Sequence, residues 1–223
     1  HLVGLCTALN LKPSDFFTES TDHVLSVPLH RTIRKKTVTQ PMRLASLELA
    51  EQYLNLFRQV STVDVLSVIR VQDRNLQSAS VIANQLRKIS GVDDGKPIDY
   101  ECAFRLLSEL GIYTIFRAFP EDLKKNSYAF YSKIADKRVV FVNIDTTVLD
   151  LIFYLLHETV HAVRDEVPDQ IDNQAEEDFC DNVTNFTQFP TKYIDDIAMM
   201  IDGLDANIVV NRLKEVSRRH KHS

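Results

Sequence analysis

No apolar run in this chain approaches the roughly 20 residues that a membrane span requires, and its opening residues do not read as a signal peptide. Cysteine is scarce: Cys6, Cys102 and Cys180 are odd in number and widely spaced. That pattern excludes a disulfide framework and suits a reducing cytoplasm, the expected compartment. Repeats and low-complexity segments are absent, and so is the excess of positive charge that a surface devoted to nucleic acid needs, since the net charge is -5. The first residue is His rather than Met, so the chain reads as a fragment of a longer one. With 44% hydrophobic and 26% charged residues among 223, it has the composition of a folded domain with one sizeable core and appendages.

One stretch also lacks Gly and Pro: Leu151 to Arg164, LIFYLLHETVHAVR. Its helix-compatible apolar residues carry His157, Glu158 and His161 in the pattern H-E-x-x-H. A helix places residues i and i+4 on one face, so the two imidazoles can share one metal ion while Glu158 leans over it from one step round. This is the ligand spacing of zinc hydrolases, in which one coordination position stays open for water and the glutamate acts as general base.

A third ligand must come from elsewhere. The metzincin continuation needs Gly and a third His, but Arg164 stands three residues after His161 and no His follows until His220. Beyond Val167-Pro168-Asp169 a second helix is expected from Asp172 to Gln188, with an acidic cluster around Ala175 to Asp181. Glu177 is the favoured ligand, completing a His2Glu set; Glu176 is the runner-up and Cys180 the third choice. With Glu177 as ligand, Asp181 lies four residues on, on the same face, and is placed to hold the free ring nitrogen of a ligating His. The competing reading of the cluster is a solvated helix face.

Elsewhere, His1 to Asn10 reads as a short amphipathic helix, with Leu11 to Phe17 as a turn closing on two aromatics. Thr18 to Gln40, with Pro28 and the basic run Arg31, Arg34, Lys35 and Lys36, reads as a linker. Pro41 suits the first turn of a helix, and Leu44, Leu47, Ala50, Leu54 and Phe57 predict one long amphipathic helix from Met42 to Val60, whose stripe would suit a homodimer. Further helices are expected over Leu76 to Ile89, ended by Gly91, and Asp99 to Leu110, ended by Gly111. Ile112 to Phe119 predicts a strand, and Tyr128 to Ile134 with Arg138 to Asn143 a hairpin around Ala135-Asp136-Lys137. Two last helices, around Tyr193 to Met200 and Asn207 to Arg218, lead to a tail in which His220 and His222 are expected to fray rather than ligate. Met199 and Met200 read as core filler. The fold class is α+β: mainly helical, with a small sheet of about three strands packed on the H-E-x-x-H helix.

The order of these pieces resembles the ImmA/IrrE family of cytoplasmic zinc metallopeptidases over about half the chain. The resemblance rests on Leu106-Leu107-Ser108-Glu109-Leu110-Gly111-Ile112, on the strand end Val140-Phe141-Val142-Asn143, on the H-E-x-x-H helix and on Val209-Val210-Asn211-Arg212-Leu213. It rests also on the run from Glu177 to Phe189-Pro190, whose family register E-x-x-A-N puts the glutamate ligand at Glu177. Cys180 and Asp181 depart from the usual Ala and Asn, and Thr184, Asn185, Thr187 and Gln188 make the second helix unusually polar. The opening residues resemble the closing helix and exit turn of Xre-type helix-turn-helix domains, whose recognition helix would lie upstream of His1. The domains expected are therefore an Xre-like remnant over 1–20, a linker over 21–40, a helical segment over 41–95 and a zincin-like metallopeptidase domain over 96–223.

The resemblance implies Zn2+ held by His157, His161 and Glu177, Glu158 as general base, and a protein substrate that is itself a DNA-binding repressor. DNA would be met only through the missing head. The oxyanion electrophile is open among Tyr128, Tyr131, Tyr154 and Tyr193. The alternative is a transcription regulator whose peptidase-like body senses a partner or ligand without cleaving.

Overall fold

The computed structural model describes residues 39–60, 69, 73–125, 127–164 and 173–222. The Xre-like remnant, the basic run and the turn at Val167-Pro168-Asp169 lie outside the described residues. The described chain is mainly helical with one three-stranded mixed sheet, the α+β class expected from the sequence.

The sheet organises the rest. Strands β1 (Ile112–Arg117), β2 (Ala129–Ile134) and β3 (Lys137–Asn143) lie in the order β1-β3-β2. β3 pairs in parallel with β1, Ile112 opposite Arg138, and antiparallel with β2, Ala129 opposite Val142. The central strand is buried along its whole length, which explains its unbroken apolar run Val139 to Val142: a strand covered on both faces needs no polar alternation. Alternate residues face two cores. Val140 and Val142 join one with Ala129 and Tyr131, and Val139 and Phe141 join the other with Phe130 and Ile134.

Helices fill both sides. On the Phe141 side lie α1 (Gln40–Glu51), α2 (Leu54–Gln59) and the short α5 (Glu121–Lys124). On the Val140 side lie α3 (Leu76–Ser90), α4 (Tyr100–Glu109), α6 (Val148–Arg164) and α7 (Asn173–Gln188). Residues 41–95 thus contribute to both cores. The chain ends with α8 (Thr191–Ile201) and α9 (Ala206–His220).

Local signals explain most boundaries. Asn75 caps α3 by accepting from the Ser78 amide at 2.8 Å, and Asp99 caps α4 by accepting from Cys102 at 2.9 Å. Gly91 and Gly111 follow the two helices at φ 67° and 64°, where a side chain would be strained. Three sequence expectations are corrected, the simplest being that Met199 and Met200, read as core filler, are exposed. The single helix from Met42 to Val60 is broken at Gln52 and Tyr53 into α1 and α2, which lets Met42, Leu49, Leu54 and Phe57 all reach the sheet. Its buried face is also rotated from the expected stripe, because Leu44 is exposed while Ala45 and Ser46 are buried. At the other end His222 does not fray: its ring Nε2 lies 2.6 Å from the Tyr193 hydroxyl, and its amide donates to the Ser217 carbonyl. Among the described residues no helix is long and apolar enough to cross a membrane.

The β2–β3 hairpin turns on Ala135 and Asp136, both left-handed at φ 46° and 64°. Two such residues make the mirror-image turn that matches strand twist. Aspartate tolerates this; alanine is strained there by about 1–2 kcal/mol. Ala135→Gly is therefore expected to stabilise the fold by up to about 1 kcal/mol, measured as a higher denaturant midpoint at unchanged slope. A lower midpoint would mean that the partly buried methyl matters more than the strain.

Candidate metal centre

Helix α6 runs seventeen residues from Val148 to Arg164 without interruption and packs on β2, β3, α4 and α7. Its periodicity brings His157 and His161 to one face, both buried, with ring centroids 4.8 Å apart. Phe153, one turn earlier, stacks on His157 at 6.1 Å. Helix α7 supplies Glu177. Its Oε2 lies 3.1 Å from His157 Nε2, its Oε1 lies 3.2 Å from His161 Nε2, and the two Nε2 atoms are 3.1 Å apart.

These distances suit a metal. Ligand atoms about 2.0–2.1 Å from one tetrahedral ion stand about 3.3 Å from each other. The charge pattern points the same way. Asp181 Oδ1 lies 3.1 Å from His157 Nδ1, and Cys180 Sγ lies 3.6 Å from His161 Nδ1. Partners there favour a proton on each Nδ1, which leaves both Nε2 lone pairs facing the Glu177 carboxylate. Three acceptors converging on one point repel one another unless a cation sits among them.

Glu176 and Cys180, the other two candidates, form a second donor group with His161. Glu176 is turned away from the Nε2 atoms and fully engaged elsewhere. It accepts from Arg164 Nε and Nη2 and, at 2.6 Å, from Arg74 Nε. A cation at this second group would have to displace two guanidiniums. It would also need a thiolate, whereas burial, reinforced by Glu176 and Glu177, pushes the Cys180 thiol well above its ordinary value. The first group is the better metal site. Glu158, the expected base, is buried beside His157 on α6.

The four tyrosines separate. Tyr131 is buried in the core between sheet and helices, and Tyr193 is occupied with His222, burial pushing its hydroxyl up to about 12. Tyr128 and Tyr154 pack against each other as tilted rings with centroids 4.8 Å apart, Tyr154 lying one turn before His157 on α6.

Sequence reasoning missed what holds α7 in place. Arg164 is buried, its guanidinium over the Phe179 ring at 4.8 Å and its nitrogens on Glu176. Arg87, also buried, donates to the carbonyls of Thr187, Asp93 and Lys96, tying the ends of α3 and α7 together. The available signal was Arg164 itself, a charge ending an otherwise apolar helix. No protein-family model matches the chain, and no curated protein is significantly similar to it.

The Arg164–Glu176 pair generates a stability prediction. Removing one charge from a buried pair strands the other, at a cost of roughly 3–5 kcal/mol, so Glu176→Gln is expected to destabilise by that order at neutral pH. Burial raises the Glu176 carboxyl, but the bonds from Arg164 and Arg74 outweigh it and lower it below 4.5. A depressed carboxyl stabilises above its unfolded value and loses that contribution as pH falls through the folded one. The gap between wild type and Glu176→Gln should therefore narrow below about pH 4.5, as read by urea unfolding at several pH values. A gap constant with pH would refute the ionic account.

Proposed function

We propose that this chain is a zinc-dependent endopeptidase of the ImmA/IrrE type, acting in the cytoplasm on a DNA-binding transcriptional repressor. The observation that carries the reading is the convergence of His157 Nε2, His161 Nε2 and the Glu177 carboxylate within 3.2 Å of one another. Two imidazoles and one carboxylate form a set suited to zinc, and with three protein ligands a position remains open for substrate or water. The peptidase class and the repressor substrate follow from the sequence resemblance.

When bound, zinc supplies a Lewis acid that polarises the scissile carbonyl and acidifies water. The rest is the work of this chain's residues. The Asp181 carboxylate lies beside His157 Nδ1 and the Cys180 thiol beside His161 Nδ1, surroundings that favour the imidazole protons on that side and the Nε2 lone pairs on the other. Glu158, the residue after His157, takes the proton of the attacking water on its carboxylate and passes it to the departing amine. Tyr128 and Tyr154 remain the candidates for stabilising the oxyanion.

Zinc affinity by chelator competition tests the premise. Wild type is expected to bind one zinc, and His161→Ala and Glu177→Ala to lose it. Glu158→Gln should keep the metal yet cut hydrolysis of a proteome-derived peptide library at least about 10²-fold, read by mass spectrometry. Zinc bound without cleavage by wild type would favour the non-cleaving regulator. No zinc in wild type would end the peptidase reading and leave the chain a regulatory or interaction domain.

A further inference from the structure

Helices α8 and α9 form an antiparallel hairpin. The turn at Gly203 joins them, and at the open end Tyr193 of α8 meets the rings of His220 and His222. Each helix buries one residue, Tyr193 in α8 and Val216 in α9. Helices of eleven and fifteen residues are marginal by themselves in water and owe their stability to a packed apolar face. Here the apolar residues are plentiful but uncovered. Half of the large hydrophobic residues exposed in the described chain lie between Ile194 and Leu213, a concentration that marks an interaction surface rather than scattered surface residues.

The pattern along each helix is regular. Ile194, Ala198 and Ile201 stand at i, i+4 and i+7 of α8, and Ala206, Val210 and Leu213 stand at the same spacing in α9, so each helix carries an apolar stripe. Ile201 is half-buried and the other five are exposed. The charges beside the two stripes are opposite. Asp195 and Asp202 border the first, and from Thr191 to Asp205 four aspartates stand against one lysine. Lys214 and Arg218 border the second, and from Ala206 to Lys221 five lysines and arginines stand against Glu215. These charges are not spent within the hairpin. Among the described residues no ion pair joins α8 to α9, and Glu215 is held by Arg212 and Arg219 of its own helix.

An acidic stripe and a basic stripe on one hairpin complement a second copy of the same hairpin. A two-fold axis lays α8 of each subunit on α9 of the other, which covers all four stripes and brings aspartates against basic residues twice. A partner of a single charge sign would satisfy one helix and be repelled by the other. We propose that the α8–α9 hairpin is a self-association surface through which the chain forms a two-fold dimer. This surface differs from the stripe over 42–60 and is independent of the metal-site reading. Helices roughly 16 and 22 Å long make a small interface, so the dimer dissociates on dilution.

Sedimentation velocity on the full 223-residue chain, from low to high micromolar concentration, tests this. Wild type should pass from monomer to dimer. Ile194→Glu combined with Leu213→Glu puts a carboxylate on each stripe and should keep the chain monomeric throughout, with thermal unfolding unchanged because both positions are exposed. Two charge reversals test the pairing: Asp195→Lys with Asp202→Lys, and Lys214→Glu with Arg218→Glu. Each alone should weaken the dimer about 10-fold or more by setting like charges face to face, while an equimolar mixture of the two should associate as wild type does. A wild type that stays monomeric overturns the proposal and leaves the patch to a different partner. A dimer that survives the two glutamates also overturns it, placing the contact on another face. Reversals that weaken the dimer without rescue on mixing would refute the two-fold α8-on-α9 arrangement.

Discussion

The ion pair between Arg164 at the end of α6 and Glu176 near the start of α7 is the constraint on which the centre depends. It contributes less by energy than by direction. A buried pair of charges repays little beyond its own desolvation, and a well-packed apolar pair would hold two helices together as firmly. What an apolar pair would not do is select a rotation. Successive residues on a helix stand about 100° apart, and α7 carries Glu176 and Glu177 side by side. With Glu176 drawn to the guanidiniums of Arg164 and Arg74, Glu177 is left facing the two imidazoles. A slip of one residue would offer the ligand to the arginines and the wrong carboxylate to the histidines.

Arg87 performs the same task at the far end of α7. Its guanidinium fills three carbonyls, including that of Thr187, and the neighbouring Gln188 carbonyl accepts from the Ile98 amide. Helix termini leave carbonyls without intrahelical partners, and here the groups that satisfy them come from α3 and the loop before α4. Both anchors of α7 therefore depend on the segment between Arg74 and Ile98, which precedes the H-E-x-x-H helix in sequence. The unusual polarity of this helix end is partly explained as well. Thr187 returns its hydroxyl to the Val183 carbonyl at 2.7 Å, so it adds no unpaired hydroxyl to the buried interface; nothing in the structure accounts for Thr184.

Much of this was legible in the sequence because it depends on period and spacing. The i, i+4 histidines, the two glycine stops, the strand pattern of β3 and the hairpin are local features, and each is found where local reasoning puts it. Glu177 and Asp181, four residues apart, were legible as a pair on one face once a helix was granted. Glu177 was preferred to Glu176 from the sequence, but the physical basis of that choice was not legible, because it rests on which carboxylate Arg164 and Arg74 claim, and Arg74 is 102 residues away from Glu176. The break at Gln52 and Tyr53 was equally invisible: no Gly or Pro marks it, and it serves contacts with a sheet whose residues come 60 to 90 positions later.

Cys180 illustrates why residue type alone misleads. By composition a cysteine beside a histidine pair invites reading as a ligand, and its sulfur is indeed close to His161. It approaches Nδ1, however, while the convergent point lies at Nε2 on the other side of the ring. The two nitrogens of one imidazole divide the site into an inner face that has only acceptors and an outer face that supplies their protons' partners. On the outer face Asp181 and Cys180 are unequal: a carboxylate draws the ring proton more strongly than a thiol does. His157 thus has a carboxylate beside its outer nitrogen, and His161 only a thiol. Cys180 lies 3.7 Å from Glu176 Oε1, so the pair that sets the rotation of α7 also touches the residue behind the second histidine of α6.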